Sequence, residues 1–140
     1  MWAIVRLRGN VNKKEDVLDT LRMLKLTRKM HCVLIDEKNP CVKGMIQKVK
    51  DNITWGEIND DILKKMVVKR GRKSGDVKLT EEEATDAFNE IKAGKKPEIK
   101  SVFRLTPPSK GFKHSIKQQY PKGELGYRGE KINDLLERMI

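Results

Sequence analysis

The first 56 residues switch repeatedly between two hydrophobic periods, and few folds accommodate that. WAIVRLR (2–8) is apolar and β-branched, with Ala3, Val5 and Leu7 at alternate positions, the period of a strand that turns one face to a core. Gly9-Asn10 closes it. Asn12 is the expected N-cap of a helix carrying Glu15 and Asp16 in its first turn and Val17, Leu21 and Leu24 at helical spacing. LTRKM (26–30) is a basic connector into a second short strand, CVLID (32–36). Asn39-Pro40 opens a second helix, since proline is tolerated where its missing N–H would be unpaired anyway. Val42, Met45, Ile46 and Val49 form its apolar stripe, and Asn52–Trp55 reads as a third strand. This β-α-β-α-β order predicts an α+β fold in which helices cover one face of a small sheet.

After Gly56 the pattern becomes helical. Asn59 is placed to cap a segment with Ile62, Leu63, Met66 and Val67; KRGRKSG (69–75) reads as a basic loop; Thr80 and Glu83 form a capping box for a helix buried through Ala84, Ala87, Phe88 and Ile91, which Gly94 ends. VFRL (102–105) alternates like a strand. Ile132, Leu135, Leu136 and Met139 repeat at i, i+3, i+4, i+7 as one helical face. Between these two lies TPPSKGFKHSIKQQYPKGELGYRGEK (106–131), rich in Pro, Gly and Lys and poor in core residues. With so little apolar surface to offset the cost of ordering, it reads as an extended basic arm that folds on binding RNA. The chain is expected to form one domain over 1–140: a core at 1–57, a helical insertion at 58–100, and strand, arm and terminal helix at 101–140.

Charge narrows the function. Lys and Arg number 31 against 20 Asp and Glu, a net charge of +11, which favours polyanions. The excess is uneven: +6 over 1–56, +1 over 57–100 and +4 over 101–140, so binding is expected at the two ends of the chain. No apolar run approaches the roughly 20 residues that span a bilayer, and Arg6 and Arg8 interrupt the opening apolar run in the wrong order for a signal peptide. A cytoplasmic protein without a membrane partner is expected, with Cys32 and Cys41 as reduced thiols.

Constellations for catalysis are thin. His31 and His114 have no metal-ligand spacing, GELGYRG (123–129) lacks the spacing of a phosphate loop, and Glu81, Glu82 and Glu83 suit a helix N-terminus. No catalytic residue, cofactor, metal or small-molecule substrate is expected. One alternative remains: RLRGNV (6–11) resembles the anion-binding turn of small ferredoxin-like phosphatases, with Arg8, Gly9 and Asn10 around a phosphate. The basic loops make the stronger case, because RNA-binding proteins position themselves on phosphates with such residues. The candidates are Arg8, Lys13, Lys14, Arg28, Lys29, His31, Lys38, Lys43, Lys48, Lys69, Arg70 and Arg72. In the arm they are Lys110, Lys113, His114, Lys117, Lys122 and Arg128, with Tyr127 for stacking.

The opening β-α-β-α-β with DEKNPCVKGMIQKV (36–49), the KRGRKSG segment and FRLTPPSKGFKHSIKQQYPKGELGYRGEKINDLLERMI (103–140) resemble the universal large-subunit ribosomal protein family numbered thirty, in its longer archaeal and eukaryotic form. The resemblance implies a structural protein of the large ribosomal subunit, similar in fold to a small, reduced ferredoxin-like α+β sandwich and partnered by large-subunit rRNA and neighbouring ribosomal proteins. Lys110 and Glu124 stand where that family usually carries the second glycine of a Gly-Gly pair. The long basic N-terminal extension of eukaryotic members is missing, which favours an archaeal-length protein.

Overall fold

A computed structural model of the chain describes residues 1–37, 39–95 and 97–140. The elements run β1 (Trp2–Arg6), α1 (Glu15–Met23), β2 (His31–Ile35), α2 (Pro40–Val49), β3 (Ile53–Glu57), α3 (Asp60–Arg70), α4 (Glu81–Lys92), β4 (Val102–Arg104), β5 (Ser115–Gln119), β6 (Gly123–Tyr127) and α5 (Ile132–Met139). The strands form a six-stranded sheet in the order β4-β2-β1-β3-β6-β5. β1 is antiparallel to both neighbours, with Ile4 opposite Val33 on β2 and Trp55 on β3. β4 lies antiparallel on β2, and β6 runs parallel to β3 with Thr54 opposite Gly126. β5 forms the far edge against β6, with a register shift between the pairs Ser115–Gly123 and Gln119–Leu125.

Alternation along β1 sorts the core into two halves. Ile4, with Val33, Ile53 and Trp55, packs under Leu21 of α1 and Val42, Ile46 and Val49 of α2. The expected helices of the β-α-β-α-β unit therefore do share one face. Ala3, Val5 and Leu7 face the other way, onto α3, α4 and α5 through Met66, Val67, Ala87, Leu135 and Met139. Helices of the insertion and the C-terminus thus cover the second face, which is why Ala3, Ile4 and Val5 are all fully buried and why the strand reads as a continuous apolar run.

Several local readings hold and others shift. Asn39 accepts from the Cys41 amide with Pro40 in the first turn, and Thr80 and Glu83 form the reciprocal capping box. Asn12 is not a cap: Lys14 takes that position without a side-chain bond, and Asn12 adopts φ 56, a left-handed turn that asparagine tolerates. Lys69 and Arg70 belong to α3 rather than to a loop. Cys32 is buried, which pushes its thiol up to about 12, whereas Cys41 is exposed.

The basic segment 106–131 is anchored at several points. This stretch is built into the fold: Thr106 N–H donates to Met139 O, Ser109 N–H to Arg138 O, and Gly123–Leu125 are buried as β6. Polar anchoring stands in for the apolar surface it lacks. Arg138 donates to the carbonyls of Ser109 and Gly111. The buried Glu124 carboxylate accepts from the amides of Lys113 (3.1 Å) and His114 (3.0 Å) and pairs with Arg128. Lys110 takes φ 64 beside Gly111 at φ 73, the conformation a Gly-Gly pair adopts without strain, so the lysine keeps the turn.

One glycine is required by close approach. A Cβ on Gly56 would lie 2.1 Å from the Gly129 carbonyl oxygen and 3.1 Å from Ile132 Cβ, where α5 docks on β3. Gly56→Ala is expected to cost about 1–3 kcal/mol by overpacking. An unchanged urea midpoint would show that the start of α5 yields freely.

Candidate nucleic-acid interface

The site begins with a charge where the strand pattern calls for an apolar residue. Arg6 shares the parity of Trp2 and Ile4 and is only 2% exposed. Among the described residues no carboxylate forms a salt bridge with it; its guanidinium donates to the carbonyls of Arg8 (2.9 Å), Leu26 (2.7 Å) and Thr27 (2.9 Å) and to the Asn10 side chain. Burial lowers its pKa. Four acceptors from two connections converge on one side chain, so the 7–10 turn and the 26–27 connector are tied together above the end of β1. Met30 N–H donates to Arg6 O, and the amides of Leu7 and Arg8 both donate to Asn52 O. The approach to β3 joins the same assembly.

Topology gathers the basic loops here. The end of β1, the starts of β2 and β3 and the end of β4 all reach the same end of the sheet, as Val5–Cys32, Arg6–Ile53 and His31–Arg104 pairings show. Arg8 reaches the Asp51 carbonyl at 3.3 Å, and the Lys29 side chain lies over Gly9. Burial and then Arg8 lower the pKa of Lys13, partly offset by Asp51. His31 is held below its ordinary range by burial first, then by Arg104, Arg28 and Arg6. Burial leads in both cases, and the arginine contributions show that like charges lie close together here.

Of the residues singled out from the sequence, Arg8, Lys13, Arg28, Lys29 and His31 are brought together. Lys14 is exposed at the start of α1, and Lys48 is exposed in the last turn of α2, which leads into the same end. Lys110, Lys113, His114, Lys117 and Lys122 are exposed on the β4–β5 connection, β5 and the following turn. A Gln119–Asp51 bond of 3.0 Å ties the end of β5 to the approach to β3.

Others are placed elsewhere. Lys43 sits at the opposite end, 5.9 Å from the Trp2 ring centroid. Tyr127, also there, is 51% exposed, and its hydroxyl donates to Glu57 at 2.6 Å. Lys69 is exposed, but Arg70 is committed to the Ile140 carbonyl at 2.9 Å and Thr106 at 3.1 Å, and Arg72 points at the Asp76 carbonyl. Arg128 differs from the exposed cations: its side chain is 8% exposed and its charge is paired with Glu124. Burial raises the Glu124 carboxyl, yet the Arg128 and His114 hydrogen bonds bring it net below the ordinary range. Lys38 lies outside the described residues. Sequence reasoning missed Arg6, although a charged residue at core parity within a strand was the available signal.

The phosphatase alternative gains no support from this geometry. The Leu7 and Arg8 amides donate to Asn52 O, and the Asn10 side-chain oxygen accepts from Arg6. Among the described residues no group of three or more His, Cys, Asp or Glu is arranged to hold a metal ion. Two outcomes are expected. Arg6→Met leaves three carbonyls without a donor and should cost about 3 kcal/mol, read by thermal unfolding; a loss below about 0.5 kcal/mol would show that water replaces the guanidinium. Arg104→Ala removes a cation from His31 and should raise its pKa, followed by NMR titration; an unchanged value would place Arg104 out of electrostatic reach.

The family model described as Ribosomal protein L30p/L7e matches residues 2–53, from β1 through α2 to the first residue of β3. Three archaeal relatives, each called Large ribosomal subunit protein uL30, align along essentially the whole chain. That of Methanosphaera stadtmanae is 45% identical over 153 aligned positions and covers 100% of both chains. That of Archaeoglobus fulgidus is 44% identical with 99% of each chain covered, and that of Nanoarchaeum equitans 44% identical with 100% of this chain and 99% of its own covered. Likeness at this level over full length, on a fold whose basic loops meet at one end of the sheet, shows that the chain belongs to the ribosomal protein L30p/L7e family.

Proposed function

We propose that the protein is a structural constituent of the large ribosomal subunit, not an enzyme, and that the cationic end of its sheet binds large-subunit rRNA. The full-length likeness to three large-subunit proteins carries the first part of the reading. The convergence of Arg8, Lys13, Arg28, Lys29 and His31 around the buried Arg6 supports the second. A sheet end whose loops are pinned by backbone hydrogen bonds offers phosphates a preorganised set of cations, so less ordering entropy is lost on binding.

The other exposed lysines, on β5 and its flanking turns, extend this surface; neighbouring ribosomal proteins are the remaining partners, and the cytoplasmic ribosome is the place of action. Among the described residues no helix is long and apolar enough to cross a membrane. The whole of 1–140 acts as one domain in this reading.

Arg28→Ala with Lys29→Ala tests it. Both side chains are exposed, so stability should stay within about 0.5 kcal/mol. Affinity for large-subunit rRNA should fall, and the slope of log K against log salt should drop by about 0.7–0.9 for each phosphate no longer neutralised. Equal stability with unaltered affinity and slope would move the RNA-binding surface away from this end.

A further inference from the structure

A groove of about 720 Å³ runs along β4, the free edge of the sheet, between the end of α1 and the segment before β4. Of its lining, only His31 belongs to the basic residues singled out from the sequence. Its apolar floor is made by Pro97, Ile99 and Val102, and among the described residues no Phe, Tyr or Trp lines it. Its rim is cationic: Lys25, Lys100 and Arg104 face it together with His31.

The distribution of counter-ions is unequal. Arg22, at the far end, is answered by Asp19 at 2.7 Å and Glu15 at 3.7 Å. Lys100 and Arg104 instead converge on one carboxylate, Asp76, with Arg104 Nη1 at 3.2 Å and Lys100 on the other oxygen. Asp76 is carried there by the turn Ser74–Asp76, where Gly75 has φ 82 and Asp76 φ 63. One anion bridging two cations through separate oxygens is the arrangement a phosphodiester makes with a lysine and an arginine. Through His31 the groove is continuous with the cationic end of the sheet.

We propose that the β4-edge groove seats the phosphate backbone of RNA, with Asp76 as an internal counter-ion that an incoming phosphate displaces from Lys100 and Arg104. The proposal rests on the rRNA-binding reading and adds a second seat to it, recognising backbone and not base. An acidic protein segment pairing with the free β4 edge is the competing occupant. RNA is favoured because the groove continues the cationic end.

Asp76→Asn, Lys100→Ala with Arg104→Ala, and Arg28→Ala with Lys29→Ala are compared by filter retention of deproteinised large-subunit rRNA from Archaeoglobus fulgidus over a salt series, with poly-glutamate as competitor. Asparagine tolerates the left-handed backbone at position 76. Asp76→Asn should therefore fold and bind about two- to fivefold tighter, the worth of an exposed ion pair. The Lys100/Arg104 variant should lose about 1.4–1.8 from the salt slope, equivalent to two phosphates. An unaltered slope in that variant while the Arg28/Lys29 variant weakens leaves the rRNA reading standing and overturns the groove. No weakening in either variant overturns both. Binding of Asp76→Asn no tighter than that of the unaltered chain removes the counter-ion role, a readout that holds even if the double variant is unstable. Poly-glutamate displacing rRNA from the unaltered chain but not from the Lys100/Arg104 variant would assign the groove to an acidic protein segment instead.

Discussion

The end of the sheet where the basic loops meet depends on one buried guanidinium without a carboxylate. Arg6 disperses its charge over three carbonyls and the Asn10 side chain, and charge-assisted hydrogen bonds of that kind are among the stronger polar contacts available to a protein. Placing a counter-ion there would neutralise the site. Carbonyl dipoles satisfy the donors and leave the net positive charge in place, so the element that orders the loops also adds to their potential. Burial first, and then neighbouring arginines that include Arg6, hold the pKa values of Lys13 and His31 below their ordinary ranges.

A different device holds the C-terminal segment. Glu124 and Arg128 are a buried pair, and the same carboxylate collects the amides of Lys113 and His114. Burying such a pair costs desolvation that good geometry and extra hydrogen bonds offset; Glu124 collects such bonds, whereas Arg128 Nε is buried without a partner among the described residues. The result is a lysine-bearing loop held at its two ends, by Arg138 on one side and Glu124 on the other. Exposed Lys110, Lys113 and Lys117 are thus presented on a fixed path. The two devices divide the arginines into those that build the surface, Arg6, Arg70, Arg128 and Arg138, and those that the proposed function gives to RNA, Arg8 and Arg28.

Much of the architecture was legible in the residues. Two periods of hydrophobicity located the strands and helices of the first unit, Asn39-Pro40 and Thr80-x-x-Glu83 marked two helix starts, and the spacing of Ile132, Leu135, Leu136 and Met139 marked the last helix. These are local properties, set by backbone hydrogen bonding and side-chain parity within a few residues. Counting apolar residues in 106–131 does not reveal how the stretch is anchored, because it is held by polar groups whose partners lie far along the chain, Thr106 on Met139 and Thr54 on Gly126.

By itself the sequence determined the element types, the positive charge and the likeness to a ribosomal family. Only the tertiary structure decided which cations act together. Lys29 and Gly9, or His31 and Arg104, are distant in the chain and meet because antiparallel pairing brings the ends of β1, β2 and β4 to one level. Lys43, equally basic in sequence, is carried to the opposite end by the direction of α2. Arg128 and Arg8 are the same residue type in similar glycine-flanked turns, yet one is neutralised by a buried carboxylate and the other faces outward, because charge availability is a property of the neighbours that folding supplies and not of the residue.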